Sequence, residues 1–407
     1  MRVRRVTRGF VAPGLILAAA LWLSLFAAFP SGAPAAEAAS LKGVVDWQLE
    51  QNPAYSPPID ATTADQIIAQ ITGGSAVAPG LHASWTRVLV YWDGLQPEAP
   101  GAGSATYDQA YVGELRLIVS KLTAAHVNVI VTPTSVPRWA SDRRLWASPP
   151  TGFPSGYGPW FAIALRKPQV VAAFQGMMTY LAQQLGPLGA TRFEVWNEPN
   201  LSRSLYPQRR GTHGDYGLRV YDAMLRACWS GIKSVDKSYT VIAGATSPAG
   251  NNSTGSTSPI SWARYLKKHG MASYFDAYSH HPYTLTASVN PAPGQQPDDP
   301  RHMVTLANLS SLLKIFPTKP FYLTEYGYAT GYNPHFGYQV SRAVQAAYLE
   351  KAFAMAASHT QVKALIWYAM RDWAPDPRRP GPDGVYTGLM TLHGGLKPSW
   401  RVFARMH

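Results

Sequence analysis

The chain has 407 residues, of which 46% are hydrophobic and 14% are charged, so it can bury a large core and does not belong to the disordered class. Its formal net charge is +13, but no dense Lys/Arg run with interleaved aromatic residues occurs, which argues against a nucleic-acid-binding protein. The single cysteine, Cys228, excludes an intramolecular disulfide and a metal or redox site of the CxxC type.

Residues 1–40 have the pattern of an export signal. Four arginines in the first eight residues precede an uncharged apolar stretch at 11–29, and small residues at 33–38 fit a cleavage site of the A-x-A type. The apolar stretch is also near the length of a membrane span, so an uncleaved N-terminal anchor is the alternative. In either case residues 41–407 are predicted to work outside the cytoplasm.

Eight apolar runs resembling strands then alternate with amphipathic runs resembling helices. The predicted strands are 41–47, 85–92, 127–133, 192–198, 240–246, 275–281, 321–325 and 362–369, and the clearest helices are 111–126, 168–185 and 341–358. This alternation predicts a single (β/α)8 barrel over residues 41–407. A doubly wound open sheet is the competing fold.

Long connections rich in proline and glycine follow the third, sixth and eighth predicted strands. They therefore belong to the carboxyl face of the barrel, where barrels build their sites. Their basic residues allow an acidic polysaccharide as substrate, although such residues equally suit a solvated loop surface. These residues are Arg138, Arg143, Arg144, Arg371, Arg378 and Arg379.

Two predicted strands end in a carboxylate, the fourth at Glu198 and the seventh at Glu325. Both strand tips point into the mouth of a barrel, so the two side chains are expected to converge there. Two carboxyl groups that converge in the mouth of a barrel can cleave a glycosidic bond, one as the general acid and the other as the nucleophile. A separation of about 5–5.5 Å would predict retention of anomeric configuration.

The sequence "WNEPN" at 196–200 resembles the acid/base motif of glycoside hydrolase clan A, whose members are (β/α)8 barrels. The resemblance implies that Glu198 is the acid/base and that Glu325, in "LTEYG", is the nucleophile. "FEVWNEPN" together with "HHPY" is most similar to family 39, which contains β-xylosidases, α-L-iduronidases and some exopolysaccharide hydrolases. The third strand lacks the histidine of family 5, which argues against the cellulase-like branch.

Further positions match the clan pattern around the nucleophile. His281 and Tyr283 resemble the H-x-Y that ends strand six, where the tyrosine hydroxyl is expected to hydrogen-bond the nucleophile. Arg87 resembles the strand-two arginine that favours an ionised nucleophile. As a simpler alternative, Arg87 neutralises Glu194.

Other matches give further substrate-binding or supporting positions. Trp367 resembles the strand-eight tryptophan that forms the floor of the sugar subsite, and Trp92 begins "WDGLQPE", a strand-two ending seen in several clan families. Asn197 is expected to bind the sugar 2-hydroxyl. Trp367 and Trp139 are equally compatible with an ordinary core.

No metal and no cofactor is predicted. His280 and His281 are adjacent, and adjacent residues on a strand face opposite sides, so they are unlikely to share an ion. The acid must carry a proton at the working pH, and the surroundings of Glu198, including an ionised Glu325, are therefore expected to raise its pKa.

The predicted function is a secreted or membrane-anchored retaining O-glycoside hydrolase that degrades an extracellular oligo- or polysaccharide. A non-catalytic glycan-binding or envelope-assembly protein on the same barrel, or a transglycosylase, is the alternative. The predicted partner is a carbohydrate, with no nucleic acid, and with membrane contact only through residues 1–40. The sequence does not determine the sugar, the linkage or the oligomeric state.

Overall fold

The computed structural model of the chain describes residues 41–50, 52–53, 58–75, 78–101, 106–145, 167–210, 214–285, 291–331, 338–374 and 384–406. The predicted signal or anchor at 1–40 lies outside these residues. So do Arg378 and Arg379, two of the basic residues of the predicted loops.

Eight parallel strands close into a barrel. They are β1 (Lys42–Val45), β2 (Trp85–Tyr91), β3 (Asn128–Thr134), β4 (Arg192–Glu194), β5 (Thr240–Thr246), β6 (Ala277–His280), β7 (Phe321–Tyr326) and β8 (Val362–Tyr368). Each strand pairs with its neighbours in the chain, and β1 closes the ring by pairing with both β8 and β2. The predicted (β/α)8 barrel is confirmed, and the open sheet is excluded.

Helical segments follow every strand. The long ones are α1 (Ala61–Ile71), α2 (Gln109–Ala124), α3 (Pro168–Leu185), α4 (Tyr216–Val235), α5 (Pro259–Lys268), α6 (Arg342–Ala357) and α7 (Pro398–Arg405), and the single turn Ser310–Leu313 stands between β6 and β7. A second single turn, Trp92–Leu95, extends β2, and Gly74–Ser75 pairs antiparallel with Ala78–Pro79. Within the described part of the chain, no helix combines the length and the apolarity needed to cross a bilayer.

Local signals explain where the helices begin. The side chain of Asp60 accepts a hydrogen bond from Thr63 N at 2.9 Å, and Asp108 does the same for Tyr111 N at 2.8 Å. Each carboxylate satisfies an amide that the first turn leaves without a helical partner. Proline at the first position of α3 starts that helix without losing a hydrogen bond, so the predicted bounds 168–185 agree with the structure.

Two apolar layers surround the strands. An outer layer packs the helices onto the barrel wall, and a smaller inner cluster plugs the barrel interior. The inner cluster consists of Val45, Trp85, Ile130, Ile242, Ala277, Tyr322, Ala364 and Ile366, with Tyr368 packed against it. Polar residues lie farther along the same inward faces, among them Arg87, Thr132 and Thr324. The apolar plug therefore supports a polar layer toward the carboxyl ends of the strands, because residues two apart on a strand share a face.

The carboxyl ends of three strands are irregular. β4 stops at Glu194, so the predicted strand 192–198 was too long, and the backbone at Trp196 and Glu198 has positive φ angles of 71° and 43°. In β5, Gly244 and Ala245 also have positive φ, and the pairing with β6 shifts register there. The pairing of β7 with β8 shifts between Leu323 and Tyr326. Such interruptions redirect side chains that a regular strand would point elsewhere.

Gly43 in β1 gives a test of the packing in the barrel. A Cβ at this position would lie 2.7 Å from Ile366 Cγ1 and 3.1 Å from Trp85 Cβ. We expect Gly43→Ala to destabilise the protein by about 1–3 kcal/mol through overpacking. Gly113→Ala, the same change at an exposed position of α2 with open space around it, should stabilise by up to ~1 kcal/mol. Urea denaturation measures both, and equal effects of the two variants would contradict this account of the packing.

Candidate active site

Glu198 lies just beyond the regular part of β4. Val195 N donates to Ile242 O at 2.8 Å, and Glu198 N donates to Ala245 O at 3.0 Å, so the segment remains attached to β5 after the strand ends. The positive φ at Glu198 turns its side chain into the mouth of the barrel. It is 7% exposed. The motif in the sequence identified Glu198, but a turn beyond β4, and not the tip of a strand, positions its side chain.

The side chain of Asn200 holds this turn in place. Its Oδ1 accepts from Ser247 N at 2.8 Å, and its Nδ2 donates to Thr257 O at 2.9 Å. These bonds join the β4 loop to the loop that follows β5. A buried asparagine with both ends bonded fixes the backbone beside Glu198.

Glu325 reaches the mouth through the irregularity in β7. Leu323 pairs with Leu365, while Tyr326 pairs with Trp367, so β7 has one extra residue over this interval. Thr324 and Glu325 consequently both face inward. Thr324 Oγ1 donates to Glu194 Oε1 at 2.8 Å, and Glu325 pairs with Arg87. A regular strand would have turned one of the two away from the interior.

Arg87 connects the polar groups of the interior. Its side chain is fully buried, and its Nη2 donates to Glu325 Oε1. Its Nη1 donates to Asn197 Oδ1 at 3.1 Å and lies 3.8 Å from Glu194 Oε2. Both sequence interpretations of Arg87 therefore describe contacts that exist. Burial opposes the charge of Arg87, but its acidic neighbours, Glu325 above all, outweigh that effect and raise its pKa.

Tyr283 contacts the other oxygen of Glu325. Its hydroxyl donates to Glu325 Oε2 at 3.0 Å. Burial, and then the charge of Glu325, raise the pKa of Tyr283 well above its usual range, so the phenol keeps its proton and acts as a donor. Glu325 is thus held by a guanidinium on one oxygen and by a phenol on the other.

His281 lies between the two glutamates. Its Nδ1 is 3.3 Å from Glu198 Oε1 and 3.7 Å from Glu325 Oε2, and its Nε2 is 3.1 Å from Thr324 Oγ1. When Glu198 is ionised, Nδ1–H can donate to it. When Glu198 is protonated, Nδ1 can accept from it while Nε2–H donates to Thr324. The imidazole therefore offers Glu198 a hydrogen-bond partner in both protonation states.

His280 faces the opposite way. Its Nε2 donates to Val304 O at 2.9 Å and its Nδ1 lies 2.8 Å from Thr246 Oγ1. Burial lowers its pKa to about 3, so the ring is neutral. The two histidines lie on opposite faces, as the sequence predicted, and they do not converge on a common point.

Glu198 has a second partner, which the sequence did not reveal. Arg203 Nη2 donates to Glu198 Oε2 at 2.8 Å. Burial alone would raise the pKa of Glu198, but Arg203 and His281 outweigh it and hold that pKa well below its usual range. The expectation of a raised pKa is therefore wrong for this state of the site, in which Glu198 is a carboxylate.

Glu50, on the loop after β1, is a further acidic group that the sequence did not single out. It is 4% exposed, and its Oε1 accepts from Leu89 N at 3.1 Å. Burial raises its pKa to about 8; Arg87 opposes this shift and Glu325 adds to it. Glu50 is therefore largely protonated at neutral pH and contributes little negative charge beside Glu325.

The predicted sugar contact of Trp367 is wrong, because its side chain is completely buried in the outer layer. Trp92, predicted as a substrate-binding or supporting residue, is completely buried in the same layer, so direct substrate binding by its ring is excluded and only a supporting role is left. Trp367 Nε1 donates to Thr387 O at 2.9 Å, and Trp92 Nε1 donates to Gln96 Oε1 at 2.9 Å. Trp367 faces away from the interior because Ala364 and Ile366 face into it. Counting alternate residues of β8 from the sequence would have pointed to Tyr368 instead.

Partly exposed aromatic rings form a group where β8 ends and where the chain leaves β1. Tyr368 is half-buried at the end of β8, and its ring is 5.6 Å from that of Trp373. The Trp373 ring is in turn 5.9 Å from that of Trp47, which follows β1. Trp139, in contrast, packs edge-on against Trp92 at 5.6 Å.

Glu198, His281 and Glu325 also form a possible ligand set for a metal, since one ligand atom from each lies within 4.8 Å of the others. Both carboxylates, however, are already paired with guanidinium groups, Arg203 and Arg87. A cation would have to compete with both positive charges. The absence of a metal from the mechanism stays a prediction.

Comparisons with known proteins agree with the barrel. No family model and no curated protein matches the sequence. Among solved structures, the chain resembles a monomeric beta-xylosidase from Caulobacter crescentus CB15, with a TM-score of 0.58 and 17% identity over 89% of this chain and 67% of that one. It also resembles a GH5_18 protein from Bifidobacterium longum subsp. infantis, with a TM-score of 0.58 and 15% identity over 89% and 77% of the two chains.

A third similar structure is a Bacteroides uniformis beta-glucuronidase, with a TM-score of 0.55 and 12% identity over 89% of this chain. The chain spans only 34% of that protein's length. The structural neighbours are glycoside hydrolases, consistent with clan A, but family 39 is not specifically confirmed. At these identities, the shared property is the (β/α)8 barrel fold.

Glu50 makes the stability of the fold depend on pH. Between about pH 4.5 and 8, the folded chain holds a proton that an unfolded Glu50 has lost, so this group makes stability fall as pH rises, by at most ~1.4 kcal/mol per pH unit. Glu50→Gln removes this contribution, so we expect the wild-type protein to lose more stability than the variant over this range. Urea denaturation across the range measures the difference, with exposed Glu98→Gln as the control. Parallel curves for wild type and Glu50→Gln would contradict the assignment.

Proposed function

We propose that the protein is a retaining O-glycoside hydrolase that acts on an extracellular oligo- or polysaccharide through a covalent glycosyl-enzyme. The observation that carries the proposal is the convergence of Glu198 and Glu325 at the barrel mouth, where an oxygen of one lies within 4.8 Å of an oxygen of the other. Inverting enzymes require roughly 6.5–9.5 Å between the carboxyl groups, to leave room for a water. The short spacing therefore favours double displacement.

The first step assigns different roles to the two glutamates. Glu325 attacks the anomeric carbon and forms an ester bond, while the bond from that carbon to the leaving oxygen breaks and Glu198 gives its proton to that oxygen. Arg87 and Tyr283 hold the two oxygens of Glu325, which fixes the orientation of the attacking carboxylate. Asn197 lies beside Arg87, in a position to bind the 2-hydroxyl of the sugar.

The second step reverses the role of Glu198. As a carboxylate it takes a proton from water, the water oxygen bonds to the anomeric carbon, and the ester to Glu325 breaks. His281 can follow this change, because it can donate to an ionised Glu198 or accept from a protonated one. The net result is hydrolysis with retained configuration and a regenerated pair of glutamates.

The remaining support concerns the substrate and its location. Tyr368, which lies close enough to Glu325 to be affected by its charge, and Trp373, whose ring contacts that of Tyr368, are partly exposed, and flat rings suit the apolar faces of sugars. The structurally similar proteins are a beta-xylosidase, a beta-glucuronidase and other glycosidases. The export pattern of residues 1–40 supports a secreted or membrane-anchored enzyme with an extracytoplasmic substrate.

Replacement of the two glutamates tests the chemistry. We expect Glu325→Gln and Glu198→Gln each to lower turnover by roughly 10³-fold or more, because each removes a reacting group. Exposed Glu350→Gln, a matched change on α6, should leave turnover unchanged. A 2-deoxy-2-fluoro glycosyl donor should label Glu325, as identified by peptide mass spectrometry, and NMR of the first product should show the retained anomer.

The other outcomes separate the alternatives. A label on another residue, or full activity in Glu325→Gln, would reject the assignment. Products larger than the substrate would indicate a transglycosylase. Binding of glycans without turnover or labelling, across a panel of aryl glycosides and polysaccharides, would indicate a non-catalytic protein.

The two neighbours on β8 allow a second test. Tyr368→Ala should raise KM roughly tenfold, the equivalent of ~1.4 kcal/mol of lost stacking. Trp367→Phe should leave KM unchanged and destabilise the fold by about 1–3 kcal/mol, because the smaller ring leaves a cavity at a fully buried position and, among the described residues, Thr387 O keeps only Gln345 Nε2 as a side-chain donor. Steady-state kinetics and urea denaturation of both variants measure this, and the reverse pattern would contradict the orientation of β8.

A further inference from the structure

A groove of about 480 Å³ lies on the outside of the barrel. It is lined by Tyr107, which precedes α2, and by six residues from the solvent-facing side of α3, namely Ala172, Gln175, Gly176, Thr179, Tyr180 and Gln183. None of the candidate active-site residues is among them. The volume falls within the range of roughly 300–1,000 Å³ that is typical of ligand sites. The groove is therefore large enough for a ligand of its own.

The groove begins at the same end of the barrel as the candidate active site. Tyr107 lies in the connection from β2 to α2, and such connections lie at the carboxyl ends of the strands. The stretch of α3 that lines the groove, from Ala172 to Gln183, extends over roughly 16 Å, at about 1.5 Å per residue. These dimensions suit an elongated ligand.

The solvent-facing side of α3 carries no charge. Residues 168–185 include no Asp, Glu, Lys or Arg, whereas each of the other long helices has at least one. Exposed helix faces usually carry charged residues. In their place, α3 presents the amides of Gln175 and Gln183, which both donate and accept hydrogen bonds. The groove therefore suits an uncharged ligand that is rich in hydrogen-bonding groups.

Tyr107 and Tyr180 form a stacked pair in the groove. Their ring centroids are 4.0 Å apart, and the ring planes differ by 16°. Gln109 Nε2 donates to Tyr107 O at 2.9 Å and to the hydroxyl of Tyr180 at 3.4 Å. These contacts hold the partly exposed ring of Tyr180 in place before any ligand binds. Such preorganisation lowers the entropy that binding costs.

Two features of the groove are unfavourable for the fold by itself. Tyr107 is 8% exposed, and within the described part of the chain its hydroxyl has no hydrogen-bond partner, which is unusual for a buried polar group. Gly176 lies beside this hydroxyl, and a Cβ there would be 3.7 Å from it, an ordinary contact. Packing therefore does not require glycine, although glycine inside a helix is destabilising. A ligand that bonds the hydroxyl and fills the space over Gly176 accounts for both features.

We propose that this groove is a second carbohydrate-binding site, which binds a neutral stretch of a glycan chain with one sugar ring against Tyr180 and sugar hydroxyls bonded to Tyr107 and to the glutamines of α3. Aromatic rings suit the apolar faces of sugars, and amides suit hydroxyls because both donate and accept. Seven lining residues are far fewer than the roughly 20–30 that each partner contributes to a standard protein interface. The inference goes beyond the proposed hydrolase function and does not depend on it.

Calorimetry tests the binding. The protein is the full chain carrying Glu325→Gln, which prevents turnover, and the ligands are xylohexaose, cellohexaose and mannohexaose, with hexagalacturonate as the charged comparison. We expect at least one neutral hexasaccharide to bind in the groove with a Kd on the order of 1 mM or lower. Its affinity should not change with salt concentration, because no charged side chain lines the groove.

Variants then assign the binding to the groove. Tyr180→Ala should weaken it at least about tenfold, and Tyr107→Phe several-fold, since the second change removes the hydroxyl alone. Tyr265→Ala is the matched control, because Tyr265 is also partly exposed and its ring stacks at 4.1 Å on that of His269, on another face of the protein.

A change that fills the groove gives a test independent of the tyrosines. Gly176→Leu should weaken binding at least about tenfold while the protein stays folded, because leucine is a strong helix former. Gly113→Leu is its control, since Gly113 lies on α2 with open space around it. Binding of no neutral hexasaccharide, or binding that both Tyr180→Ala and Gly176→Leu leave unchanged, would overturn the proposal.

Further outcomes separate this proposal from the others. Hydrolysis of a small aryl glycoside by otherwise wild-type protein should be unaffected by Tyr180→Ala and Gly176→Leu, because neither residue lies in the mouth. Neutral hexasaccharides that bind in the groove without any hydrolysis would reject the hydrolase and keep the site. Hydrolysis with binding that the groove variants do not alter would keep the hydrolase and reject the site. A dimer in sedimentation that Tyr180→Ala dissociates would assign the groove to a second copy of the chain and overturn the proposal.

Discussion

A buried guanidinium, that of Arg87, is the interaction on which the arrangement of the site depends. It contacts groups delivered by three other strands or the segments after them, namely Glu325 from β7, Asn197 and Glu194 from β4 and beyond, and His281 from beyond β6. A buried charge without partners would cost several kcal/mol, so these groups must all be in place for Arg87 to be accommodated. The same requirement fixes the positions of the carboxylates. The contacts that stabilise the polar layer therefore also set the geometry of the proposed chemistry.

Backbone irregularity delivers the two reactive side chains. The turn beyond β4 points Glu198 into the mouth, and the extra residue in β7 lets Thr324 and Glu325 both face the interior. Regular strands alternate their side chains and could not have done this at adjacent positions. The apolar plug of the barrel packs beneath these distorted ends. One barrel can be both stable and reactive because an apolar core fills its base while the irregular strand ends carry the reactive groups.

The groups around Glu198 respond differently to the protonated and the ionised form of this glutamate. His281 can serve as a partner of Glu198 whether or not the glutamate carries a proton, whereas Arg203 favours the ionised form. The imidazole is therefore suited to a group that exchanges a proton twice in each cycle. Glu50, largely protonated at neutral pH, limits the negative charge that accumulates near Glu325.

The sequence by itself determined the barrel, the bounds of most elements, and the two glutamates. Hydrophobic periodicity is a local property of the sequence. It predicted eight strands and the principal helices because each of these elements buries a face against its neighbours. The motif "WNEPN" and the second strand-terminal glutamate predicted which carboxylates meet. The tertiary structure decided the rest. Register in the barrel turned Trp367 outward and Tyr368 inward, which the resemblance had not resolved. Folding of the β4 loop brought Arg203 onto Glu198 and reversed the expected direction of its pKa shift, because that shift depends on charges that are near in space and that no spacing along the chain encodes.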